Sequence, residues 1–230
     1  MGLTIAIDGP VGAGKSTIAK GLADALNILH LDTGATYRAL ALGVLRAGIS
    51  PADRAGVEAY CAGAHVSVRL DGRTQRTLLN GEDVTDQLRT PEISAAASAI
   101  SVYPAVRGRM VALQRRIAED ADIVLDGRDI GTRVLPDARF KFYLDAPEAV
   151  RAQRRYLELS QKGFTKDLET VRRELSERDA QDAGRAVDPL RQAEDAIRID
   201  TGTMTQDEVV ALLVSIIHSN SRPHKEEPFG

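Results

Sequence analysis

The chain has 230 residues, 43% hydrophobic and 27% charged, with a formal net charge of −3 and an aromatic content of only 4%. That length supports one sizeable core, no apolar run approaches the ~20 residues of a membrane span, and the weak acidic balance with few stacking platforms argues against a nucleic-acid partner. The single cysteine, Cys61, excludes an internal disulfide and reads as a small buried hydrophobe; the four histidines show no metal-ligand spacing.

The first element is an apolar strand, Leu3-Thr4-Ile5-Ala6-Ile7, followed at once by Gly9-Pro10-Val11-Gly12-Ala13-Gly14-Lys15-Ser16-Thr17. A strand and phosphate loop here, in place of a charged signal peptide, make a cytoplasmic location the expectation. The glycines let successive N–H groups turn inward, the helix that follows (Ile18, Leu22, Leu26) points its positive end at the same spot, and Lys15 adds a full charge. Ser16 is then placed to ligate Mg²⁺ through its hydroxyl. A Gly-rich turn can join strand to helix for steric reasons alone, but sterics do not call for Lys followed by a hydroxyl.

A second strand, Ile28-Leu29-His30-Leu31, ends at Asp32, and Tyr37, Leu40, Ala41, Val44 and Leu45 then trace one helix face until Gly48. Ser50-Pro51 is expected to open another helix. Val66 to Val84, with turns at Asp71-Gly72 and Asn80-Gly81, reads as a small antiparallel β insertion, within a region of about 63–90. A longer helix (Val106, Met110, Leu113, Ile117) leads to strands at Ile123-Val124-Leu125, Phe140 to Leu144 and Ile197-Arg198-Ile199, and a last helix spans Val209 to Ile217. The expectation is therefore an α/β fold with a five-stranded parallel sheet flanked by helices. The charged, helical stretch of about 151–187, broken at Gly163-Phe164, interrupts the alternation, and the tail from Ser219 is expected to be disordered, leaving one domain of about 1–220.

Three polar clusters have to say what the phosphate loop serves. Asp32-Thr33-Gly34-Ala35-Thr36-Tyr37-Arg38 follows strand two; a helix cap by Asp32 or Thr33 explains its start but leaves Tyr37 and Arg38 over the cleft unexplained. Asp126-Gly127-Arg128-Asp129 follows strand three, and its bland alternative is an Arg–Asp pair bracing a turn. Arg178, Asp182 and Arg185 follow i, i+4, i+7, so one helix face would carry two guanidiniums to grip phosphate and a carboxylate between them; a solvated face with i,i+4 pairs is the alternative.

In this order the motifs resemble those of the bacterial cytidylate kinases, and the match covers nearly the whole chain. The resemblance implies a P-loop kinase fold with a mobile monophosphate-binding region carrying the β insertion and a helical lid. It implies ATP and CMP or dCMP as substrates, Mg²⁺ as cofactor, and a role in pyrimidine nucleotide metabolism. Gly9, Pro10, Val11, Gly12, Ala13, Gly14, Lys15, Ser16 and Thr17 would bind ATP. Thr33, Tyr37, Arg38, Ser98, Arg107, Arg128, Asp129, Arg178, Asp182 and Arg185 would surround the nucleoside monophosphate, with Lys15, Arg128, Arg178 and Arg185 neutralising the transferring group. A monomer is expected. The family often has serine at Thr33, and at Gln181 relatives can carry another arginine. Asp129 or Asp182 would accept from the cytosine amino group, which predicts that UMP is a poorer acceptor than CMP. Rival readings are a kinase for UMP, AMP or a non-nucleotide acceptor, and a GTP-dependent switch, against which stands the lack of an Asn-Lys-x-Asp stretch.

Overall fold

The computed structural model describes residues 2–72, 74–119 and 121–221. β1 (Thr4–Asp8) lies at the centre of a five-stranded sheet in the order β2 (Leu29–Asp32), β6 (Ile123–Asp126), β1, β7 (Phe140–Asp145), β8 (Ile197–Asp200), and every pairing is parallel. β1 and β6 are apolar almost throughout because helices cover both faces of the sheet. On one face Ile5, Ile7, Val124, Phe142 and Leu144 pack against Ile18 and Leu22 of α1 (Lys15–Leu26) and Val209, Leu213 and Ile217 of α8 (Gln206–Ser221). On the other, Ala6, Leu31, Ile123 and Leu125 meet Val111 and Ala118 of α5 (Pro104–Ala118). Each fully buried Ile or Leu contributes roughly 1.5–3 kcal/mol, so these two layers hold the strand ends that carry the polar loops.

A third apolar cluster joins α2 (Thr33–Arg46), α3 (Arg54–Gly63) and α4 (Pro91–Ile100) to the β insertion, the antiparallel sheet β3 (Val66–Asp71), β4 (Thr74–Leu79), β5 (Glu82–Asp83). Cys61 is buried there, as its sequence context suggested. The turns between these strands fall where Gly72 and Gly81 supply positive φ, at 59° and 87°. The charged stretch folds as a hairpin of α6 (Glu148–Gln161) and α7 (Leu168–Gly184), broken at Gly163.

Several expectations are corrected. Ser50-Pro51 does not open a helix; Asp53 N–H donates to Ser50 O, closing a turn, and Asp53 itself caps α3 through Gly56 N–H. α4 falls in a stretch given no element by sequence, and Ile130–Val134 forms a π-helical turn after β6. Arg185 does not share a helix face with Arg178 and Asp182: α7 ends at Gly184, and Arg185 is extended at φ −59°, ψ 135°. Ser219 and Asn220 continue α8, and the Asn220 side-chain amide folds back to donate to Ile216 O at 3.1 Å. The rest of the expected disordered tail, 222–230, lies outside the described residues.

Candidate active site

The loop after β1 fits against the neighbouring strand β7 so tightly that only glycine suits its first position. Gly9 has φ 146°, and a Cβ there would stand 2.0 Å from Leu144 O. Gly12 and Gly14 follow at φ 78° and 86°, and α1 starts at Lys15, so its unpaired N–H groups open toward the loop. Lys15 curls back to donate to Pro10 O at 2.6 Å. Burial and the Arg128 charge push its pKa well below the ordinary lysine value, although Asp126, Asp182 and Asp8 pull the other way. Asp8 is fixed beneath the loop, accepting from Ile130 N–H at 2.8 Å and Gly131 N–H at 2.7 Å, and burial raises its pKa to about 6 despite those bonds.

Ser16 Oγ donates to Asp126 Oδ2 at 2.7 Å at the end of β6. Thr33 Oγ1 donates to the main-chain carbonyl of the same Asp126, also at 2.7 Å, so this hydroxyl is turned toward β6 and buried. Asp32 caps α2 through Ala35 N–H, as the capping reading expects, and also accepts from Arg38 at 2.6 Å. The Arg–Asp pairing within the Asp126–Asp129 motif does not form. Arg128 Nε instead donates across the cleft to Asp182 Oδ2 at 2.8 Å, and Asp129 accepts from Arg107. Arg107, only 2% exposed, also donates to Asp188 at 3.0 Å and lies 6.0 Å from the Tyr37 ring centre.

α7 sits on the phosphate loop. Val11 N–H donates to Asp179 Oδ1 at 3.2 Å, and Arg151 donates to both Asp179 and Val11 O. Gln181 and Ser98 exchange two hydrogen bonds, Oγ to Oε1 at 3.3 Å and Nε2 to the Ser98 carbonyl at 3.1 Å. Asp182 is held between Arg128 and Arg185, the latter at 3.1 Å, and those charges keep its pKa below the usual carboxylate value even though burial works against them.

The arginines around the cleft are unequally paired. Arg38 pairs with Asp32, and Arg128 and Arg185 share Asp182, with Asp179 and Asp126 also within electrostatic reach of Arg128 and Asp129 within reach of Arg185. Arg178 has no ion pair among the described residues; burial and the repulsion of Arg128 bring its pKa from 12.5 down to about 10. Arg38 Nε and Arg178 Nε are buried without a hydrogen-bond partner, and Arg185 Nη2 meets Asp182 only as an ion pair, outside hydrogen-bond geometry. Buried donors are rarely left so; an anion with several oxygen acceptors would satisfy them, and a phosphate monoester is such an anion.

The family model for cytidylate kinase matches residues 5–219. The chain belongs to the cytidylate kinase family. Among curated relatives, the cytidylate kinase of Syntrophotalea carbinolica is 47% identical over 228 residues, covering 97% of both chains. That of Caldanaerobacter subterraneus is 48% identical over 218 residues, covering 95% of this chain and 96% of the relative. An uncharacterized protein from Eubacterium ventriosum has a solved structure that matches with a TM-score of 0.51 at 16% identity, over 95% of this chain and 99% of that one; the likeness is one of fold alone.

For this member of the cytidylate kinase family, the oxygen donors beside the loop fit Mg²⁺. The Ser16 hydroxyl and the Asp126 carboxylate are hard ligands. No group of three or more His, Cys, Asp or Glu side chains among the described residues is arranged to hold a metal. That sparse set is the usual one for Mg²⁺, which keeps water and substrate phosphates as most of its ligands. No helix among the described residues is long and apolar enough to cross a membrane. Sequence reasoning did not single out Asp8, His30, Arg151, Asp179 or Asp188. Apart from the Arg151 bond to Ala146 O five residues back, their partners lie 28 to 168 positions away along the chain, and no local pattern points to them.

Proposed function

We propose that this chain transfers the γ-phosphoryl group of ATP to a phosphate oxygen of CMP or dCMP, giving ADP and CDP or dCDP. The observation that carries the reading is the desolvated Arg178, without an ion pair among the described residues, with the partnerless Nε donors of Arg178 and Arg38, beside a phosphate loop. An acceptor phosphate is already anionic near neutral pH, so no general base is needed. The protein's task is to align two anions and to neutralise the charge spread over the group in transfer. Gly9 to Thr17 cradle the ATP phosphates through main-chain N–H groups, and Lys15 leaves Pro10 O to reach them. Bound through Ser16 with Asp126 behind it, Mg²⁺ would supply further neutralisation of the phosphates.

Arg38, Arg128, Arg178 and Arg185 receive the monophosphate, and the latter three with Lys15 stabilise the transfer. Asp129, Arg107 and Ser98, with Thr33 and Tyr37 close by, read the base. Asp182 orders Arg128 and Arg185 and is correspondingly less free than Asp129 to accept from the cytosine amino group. Uracil turns an oxygen toward Asp129, leaving both acceptors unpaired. Residues of about 151–187 act as a lid: Asp179 occupies the Val11 N–H that a phosphate would use, so nucleotide must displace it as the helices re-seat and water is excluded.

ADP release with CMP, dCMP, UMP, AMP and GMP offered in turn tests the reading, with Asp129→Ala alongside. Selective turnover of CMP and dCMP, weakened and less selective in the variant, is expected. Equal turnover of UMP, or undiminished selectivity in the variant, overturns the base assignment.

A further inference from the structure

A histidine with no part in the reaction described above stands behind the Ser16–Asp126 pair. His30, on β2, places Nε2 2.7 Å from Asp126 Oδ1, while Asp126 Oδ2 accepts from Ser16 Oγ at the same distance. The two oxygens of one buried carboxylate are thus divided between a ring nitrogen on one side and the phosphate-loop hydroxyl on the other, and Thr33 Oγ1 holds the main chain of the same residue. Four elements, β2, β6, α1 and α2, meet at Asp126. We propose that His30 is a positioning residue for the divalent-cation and nucleotide site: through Asp126 it sets the orientation of the carboxylate and hence of the Ser16 hydroxyl. The inference rests on the assignment of Ser16 as the cation ligand.

Without His30, Asp126 Oδ1 would lose its partner. A carboxylate turns readily about its last torsion, and one oxygen without a donor in a buried site drives it to find one. The nearest strong candidate is Lys15, whose ammonium lies within electrostatic reach of Asp126 and now donates to Pro10 O. With His30 in place, Oδ1 is occupied, Oδ2 stays on Ser16, and Lys15 remains available for phosphate. Without it, the carboxylate rotates toward Lys15, and both the hydroxyl and the ammonium are misdirected. Outer partners of metal ligands characteristically matter in this way, with losses of 10- to 100-fold in affinity.

The test measures Mn²⁺ and ADP binding to the full chain, using electron paramagnetic resonance to read free Mn²⁺ and calorimetry in EDTA to read ADP without metal. His30→Leu removes the donor, and His30→Gln keeps an amide N–H at similar reach. The Mn²⁺-dependent gain in ADP affinity is expected to fall about tenfold in His30→Leu and to be largely restored in His30→Gln, while metal-free ADP binding changes less than twofold. Ser16→Ala serves as reference. If Ser16→Ala leaves Mn²⁺ affinity intact, the cation assignment itself fails. If Ser16→Ala weakens it and His30→Leu does not, or if His30→Leu weakens metal-free and metal-dependent binding alike, the positioning role fails while the cation assignment stands.

Discussion

Arg178 is held in the protein at a cost that its removal should reveal. Its guanidinium is largely desolvated, its Nε has no partner, and burial with the repulsion of Arg128 lowers its pKa from 12.5 to about 10. Each unit corresponds to about 1.4 kcal/mol, so carrying the charge near neutral pH destabilises the fold by at most about 3 kcal/mol. Partial solvent access and relaxation reduce that, and Arg178→Met, which keeps an apolar stem and discards the charge, is expected to stabilise the ligand-free protein by about 1–2 kcal/mol. For a domain of this size that raises Tm by roughly 2–8 °C. The same substitution should lower kcat by at least 10²-fold, because the donor proposed to stabilise the transferring group is lost. Differential scanning calorimetry with and without CMP, alongside steady-state rates, reads both quantities. Wild type should gain more stability from CMP than the variant does. A variant less stable than wild type without ligand would refute the argument that Arg178 is an uncompensated charge awaiting an anion.

Asp182→Ala should act in the opposite direction, leaving Arg128 and the nearly buried Arg185 unpaired, with a loss of about 3–5 kcal/mol by urea denaturation; added CMP or sulfate should recover part of it, and equal losses with and without anion would contradict the pairing. Gly9→Ala would drive a Cβ to 2.0 Å from Leu144 O at φ 146°, so loss of ATP binding, together with destabilisation of several kcal/mol, is expected by calorimetry. Asp8, with a pKa raised to about 6 from 3.8, binds its proton more tightly folded than unfolded. Its contribution is therefore complete below pH 4 and lost as pH rises through 6, by up to about 3 kcal/mol. The stability difference between wild type and Asp8→Asn should shift against wild type over that interval, and a flat difference would mean that Asp8 is ordinary.

The alternation of apolar strands with helical spacing, and Gly, Pro, Asn and Asp turns at their ends, was enough to place all five parallel strands, the antiparallel insertion and the two helices of the charged stretch, because each depends on local periodicity. The phosphate loop was equally legible, since main-chain conformation, charge and hydroxyl are consecutive there. What lay beyond reach was pairing across the fold. The 178–182–185 spacing pointed to one helical face, yet Arg185 reaches the cleft from extended chain past α7, and Arg128 takes its partner from that helix rather than from its own turn. Thr33 reads as a ligand hydroxyl and in the structure donates to a neighbouring carbonyl. α4 offers a run of small residues and few large apolar ones to mark a face, and His30 is one polar residue in a short strand. Composition and local order thus determined the class of fold and the kind of ligand. Only tertiary structure decided which carboxylate meets which guanidinium, and so that Arg178 is left without an ion pair, because electrostatic balance in a buried cleft is a sum over elements far apart in the chain.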